Sequence, residues 1–106
     1  MKKILVILII LPLLAFGQVD SLNVLFIGNS YTASHDLPNI ISTIANSMGD
    51  YLYTENSLIG GATLQAHANN TGSNELIMSG DWNYVVLQEQ SQYPSFPLWQ
   101  VEQDVF

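Results

Sequence analysis

The chain contains no cysteine, no arginine and, apart from Lys2 and Lys3, no lysine. Without cysteine there can be no disulfide and no thiolate metal site, and no residue is present to carry a lipoprotein anchor. With no basic side chain beyond residue 3, nothing can neutralise phosphates, so nucleic-acid binding is disfavoured. An anionic substrate held by Lys or Arg is disfavoured for the same reason, and neutral ligands such as sugars or esters fit better. The nine acidic residues are scattered from Asp20 to Asp104 and do not form an acidic tail. His35 and His67 stand far apart among scattered carboxylates, which does not make a metal site, and no cofactor is expected.

What is present begins with a leader pattern. Lys2 and Lys3 precede an apolar stretch from Ile4 to Leu14, broken only by Pro12, and Ala15-Phe16-Gly17 supplies small residues before Gln18. This is the layout of a secretory signal peptide over residues 1–17, cut after Gly17, and it implies a secreted or periplasmic protein. The apolar stretch is short for a membrane span, which needs about 20 residues. Stable membrane insertion after cleavage is therefore not expected, an uncleaved anchor being the alternative. Residues 18–106 remain as the folded part, and all nine acids but neither lysine belong to it.

Within that part, Asn23 to Gly28 reads as a short apolar strand of the kind buried on both faces of a parallel sheet. Leu37, Ile40, Ile41, Ile44, Ala45 and Met48 recur at helical spacing, with Asp36 as a cap, Pro38 in the first turn and Gly49 as the stop. A second strand runs through Tyr51-Leu52-Tyr53 and less clearly on to Leu58-Ile59. Short helices are expected at Leu64–Ala68 and Asn74–Met78, separated by an Asn-Asn-Thr-Gly loop. A third strand covers Tyr84 to Gln88, and the tail with Pro94, Pro97 and Trp99 reads as a loop entering another helix. Alternating strands and helices predict an α/β fold, a flavodoxin-like parallel sheet in three α/β/α layers. Three strands do not complete such a sheet, so the chain reads as the N-terminal, truncated part of a domain.

Ligands of an α/β sheet bind beyond the carboxyl ends of its strands, and polar features stand at all three. Ser30 follows the first strand at a strand-to-helix corner, which presents a hydroxyl together with backbone N–H groups. Gly60-Gly61 follows the second strand, where a glycine N–H can approach a substrate closely. Gln88-Glu89-Gln90-Ser91 follows the third and offers a side-chain amide. A nucleophile surrounded by such donors suits acyl transfer through a stabilised oxyanion.

Taken in order, these residues resemble the SGNH (GDSL-type) hydrolase superfamily. Val24-Leu25-Phe26-Ile27-Gly28-Asn29-Ser30 is similar to its first block, with Asn29 where many members have Asp. Gly60-Gly61 resembles its second block, and Leu37-Pro38 with Leu87-Gln88-Glu89-Gln90-Ser91 resembles a secreted bacterial branch of uncharacterised SGNH-like proteins, the last string departing from the usual third block, whose Asn is missing. The resemblance covers residues 22–106 and implies a serine ester hydrolase that works through an acyl-serine intermediate, with Ser30 as nucleophile. It implies Gly61 and Gln90 as oxyanion donors, with Gly60 and Gln88 in reserve; Asn29 is a candidate for the substrate side, and the position of His67 after the glycine pair makes it a substrate-side or structural histidine. The implied substrate is a small neutral ester, an acetylated carbohydrate foremost. The superfamily's Asp-x-x-His block, which supplies the general base, is absent from the sequence.

Other readings follow from the same residues. Ser30 is also a plausible turn serine or helix cap. A non-catalytic glycan-binding module on the same fold would use the same three loops. A nucleotide-binding protein is disfavoured by the lack of a Gly-rich phosphate signature and of basic residues. Glu89 with Asp36 or Asp81 suggests glycosidase chemistry only if two carboxylates flank one sugar.

Overall fold

The first strand, β1 (Ser21–Gly28), is the spine of the structure, a computed structural model describing residues 21–105. The leader expected over residues 1–17 lies outside the described residues. Val24, Leu25, Phe26 and Ile27 are all buried, with Leu25 wholly so. Side chains alternate between the two faces of a strand, so four consecutive buried residues require cover on both sides. Each such side chain contributes about 1.5–3 kcal/mol by leaving water.

Both edges of β1 are paired in parallel. Strand β2 (Tyr51–Leu58) runs in register from Ser21↔Tyr51 to Gly28↔Leu58, and β3 (Tyr84–Leu87) from Val24↔Tyr84 to Ile27↔Leu87. The order β2-β1-β3 is that of the first three strands of a flavodoxin-like sheet. Helix α1 (Ser30–Ala33) follows β1 at once, and α2 (Leu37–Ser47) packs against β2. On the opposite face, α3 (Leu64–Ala68) and α4 (Thr71–Ser79) contact β1, and α5 (Leu98–Val105) contacts α3. The fold is therefore α/β, with an all-parallel three-stranded sheet flanked by helices, as the alternating pattern predicts. None of the described helices is long and apolar enough to cross a membrane.

Several local expectations are corrected. Asp36 holds the cap position of α2, but its backbone is left-handed (φ 54°) and its side chain makes no capping bond. Strand β2, by contrast, runs on to Leu58 as expected, because backbone pairing with β1 carries Glu55 and Asn56 through the ladder. Helix α4 begins at Thr71, three residues before the expected start, since Asn70 Oδ1 accepts the Ser73 N–H (2.9 Å) and caps it. In the tail, Tyr93 is buried, whereas Phe96 and Trp99 are exposed.

Strand β3 is paired but poorly covered. Tyr84 is 62% exposed and Leu87 59%, and Val85 and Val86 also stay open to solvent. A groove of about 470 Å³ separates its Tyr84 and Val86 face from Leu37 and Ile41 of α2. A second, about 360 Å³, lies on the other face between Leu87 and Leu64, Ala68 and Ile77 of α3 and α4.

Candidate functional site

At the carboxyl end of β1 the chain turns into α1 through Asn29. Asn29 Oδ1 accepts the Tyr31 N–H (3.1 Å), which caps the helix, and Asn29 Nδ2 donates to the Ala62 carbonyl (3.1 Å) beyond the glycine pair. Ser30 is thereby the first helical residue and is exposed. Its N–H is one of the donors that a helix start leaves unpaired within the helix. Among the described residues its hydroxyl has no hydrogen-bond partner. Neither groove beside β3 includes it.

Gln88, the first residue past β3, fixes this turn from below. Its Oε1 accepts both the Asn29 N–H (3.0 Å) and the Thr32 hydroxyl (2.8 Å), and its Nε2 donates to the Glu89 carbonyl (2.6 Å). The close approach depends on Gly28: a Cβ there would stand 2.7 Å from Gln88 Oε1 and 2.9 Å from Thr32 Oγ1. Oε1 is fully engaged, but Nε2 carries two N–H groups and only one goes to Glu89, so Gln88 keeps a donor and stays in reserve for the oxyanion hole. Gln90 differs. Its Oε1 accepts the Gln92 N–H (2.7 Å), which steadies the carboxamide while its Nε2 has no partner among the described residues.

The second loop carries Gly60 and Gly61, both exposed. Gly61 has φ +69°, a left-handed backbone that side-chain-bearing residues adopt reluctantly. The neighbouring Ala62 N–H closes the turn on the Ile59 carbonyl (3.1 Å). Glu89 joins this loop to the third: one carboxylate oxygen, Oε1, accepts the Leu64 N–H (3.1 Å) and the Gln90 N–H (2.6 Å). The three strand-end loops are thus cross-linked by Asn29, Gln88 and Glu89.

Asn29 and His67 are turned inward from the substrate side, and His67 takes the structural of its two expected roles. Asn29 is 2% and His67 3% exposed, and the polar atoms of each side chain are bonded internally. The burial has a physical cause, since both side chains satisfy backbone or side-chain groups that the sheet end would otherwise leave unpaired. His35 is exposed, with Nδ1 2.9 Å from Ser34 Oγ. Neither imidazole is bonded to Ser30. No group of three or more His, Cys, Asp or Glu that could hold a metal ion occurs among the described residues.

The anchoring roles of Gln88 and Glu89 escape periodicity, which reads only their neighbours. The available signal was two long polar side chains placed directly after a buried-type strand, where nothing requires them for solubility. Compared with known proteins, the chain matches no family model, no curated protein and no solved structure.

Proposed function

We propose that this chain carries the nucleophile and oxyanion loops of an SGNH-type serine ester hydrolase, secreted or periplasmic, acting on a small neutral ester, foremost an acetylated carbohydrate. The observation that carries the reading is the Ser30 hydroxyl. It is exposed on a helix-starting turn whose other polar groups are bonded to Gln88 and Ala62. Ser30 Oγ attacks the ester carbonyl, and its proton passes to a general base while the alcohol leaves. Water then cleaves the acyl-serine. The Ser30 N–H, the Gly61 N–H and Gln90 Nε2 are the donors proposed for the oxyanion, with Gly60 and Gln88 in reserve. Neither His35 nor His67 is placed as the base, so an Asp-x-x-His element would have to come from outside these 106 residues.

The absence of an imidazole on Ser30 among the described residues favours a second reading, a glycan-binding module without hydrolysis. Treatment of the full-length protein with a serine-directed fluorophosphonate, followed by peptide mapping, tests the first. An adduct on Ser30, abolished in Ser30→Ala, is expected. No adduct, or one elsewhere, removes the hydrolase reading, and retained glycan binding in Ser30→Ala then supports the module.

A further inference from the structure

His67 lies in α3 with both ring nitrogens engaged: Nε2 is 2.7 Å from the Gly28 carbonyl oxygen and Nδ1 is 2.7 Å from Ser73 Oγ. A carbonyl only accepts, so the proton of the first contact sits on Nε2. In the neutral ring Nδ1 then accepts, and the Ser73 hydroxyl is its donor at 2.7 Å, in preference to the longer contact with Asn70 Oδ1 (3.3 Å). Having spent its one proton there, Ser73 Oγ is left to accept from the Ser57 hydroxyl at 2.9 Å. The bonds run in one direction, from β2 through α4 and α3 to the end of β1. Ser73 is wholly buried, so water does not compete for this chain.

The Gly28 carbonyl accepts a second hydrogen bond, from the Ile59 N–H (3.1 Å). Ile59 directly precedes the glycine pair, and Gly28 stands two residues before Ser30. One oxygen, with both lone pairs used, therefore ties the nucleophile turn to the glycine loop. The Ile59 bond continues the sheet ladder, whereas the His67 bond comes from outside the sheet and fixes the carbonyl against the helical layer.

We propose that His67, as the Nε2–H tautomer, is a positioning residue that holds the Ser30 turn against the Gly60-Gly61 loop. Ser73 and Ser57 set its orientation. The catalytic consequence rests on the ester-hydrolase reading, while the tautomer and the tie do not.

Long-range proton–nitrogen correlation of the ¹⁵N-labelled full-length protein near neutral pH reads the tautomer directly. A pyrrole-type Nε2 and a pyridine-type Nδ1 are expected for the ring whose signals vanish in His67→Gln. A proton on Nδ1, or the averaged signature of an exchanging ring, overturns the proposal. Two variants then read the tie: His67→Gln keeps a donor for Gly28, and His67→Leu keeps bulk alone. Fluorophosphonate capture at Ser30 is expected to slow by less than about tenfold in the first and about a hundredfold in the second. Equal slowing overturns the positioning role. If the wild-type protein is not captured at Ser30, the esterase reading falls. Hydrogen exchange then decides on His67 alone: Asn29 and Ile59 amides should lose at least about tenfold more protection in His67→Leu than in His67→Gln, and equal loss overturns the tie.

Discussion

Replacing Gly28 with Ala tests whether the nucleophile turn is built on the contact with Gln88. The backbone of Gly28 is not in the left-handed region, so alanine meets no conformational obstacle there. By itself the change should stabilise a strand residue by about 0.5 kcal/mol, because alanine has less unfolded-state freedom to lose. Space decides the sign. The added methyl would stand 2.7 Å from Gln88 Oε1 and 2.9 Å from Thr32 Oγ1, and must displace the oxygen that bonds the Asn29 N–H and the Thr32 hydroxyl. Losing both bonds from partly buried groups costs about 1.5 kcal/mol each. The net expectation for Gly28→Ala is a destabilisation of about 2.5 kcal/mol, read by urea unfolding with an unchanged m-value. Gln88→Ala alone should cost about 3 kcal/mol, since the same two bonds go. In the double variant the Oε1 obstruction is gone, the freed Thr32 hydroxyl can rotate aside, and only the 3.2 Å approach to the Cβ of residue 88 remains, so the alanine should add little. The two changes are then coupled by about 2–3 kcal/mol. A Gly28→Ala protein as stable as wild type, or strict additivity in the double variant, refutes the reasoning.

Glu89→Ala should release the clamp between the second and third loops, raising hydrogen exchange at the Leu64 and Gln90 amides by about tenfold or more, while Glu89→Gln, which keeps an acceptor oxygen, raises it less. Equal exchange in the two variants would show that the carboxylate is not what joins the loops. On β2, the Tyr53 hydroxyl donates to the Glu55 carboxylate, and that hydrogen bond, with the repulsion between carboxylate and phenolate, raises the Tyr53 pKa. Glu55→Gln should therefore bring the phenol titration, followed by ultraviolet absorbance, down toward the ordinary value of about 10; an unmoved titration would mean that the pair does not form in solution.

The sequence disclosed most where one physical cause dominates. The run Val24-Leu25-Phe26-Ile27 has a single explanation, burial on both faces, and β1 is the central strand. Helix α3 was legible to the residue, with Thr63 Oγ1 capping it through the Ala66 N–H. Elements held by pairing or by a cap were less legible: Glu55 and Asn56 argue against a strand locally, and only registry with β1 overrides them. Ser30 stands where the strand-to-helix corner predicts. The roles of Asn29, His67, Gln88 and Glu89 were not legible. Each depends on a partner about 25 residues away or more, such as Ala62, Gly28 or Leu64, which no local pattern encodes. The exposure of β3 was legible, since Val85 and Val86 have the composition of a covered strand and a sheet of three strands leaves such a strand without cover.

The central position of β1 has a consequence for biosynthesis. Val24 is matched to Thr54 on one side and Tyr84 on the other, so the spine leaves the ribosome before either neighbour exists. Translation at about 5–20 residues per second leaves this most apolar segment unpartnered for seconds. Its contacts are non-local, so pairing cannot begin early. During that interval a nascent chain of this topology depends on chaperone cover or, if exported unfolded, on delaying collapse until the whole sheet can assemble.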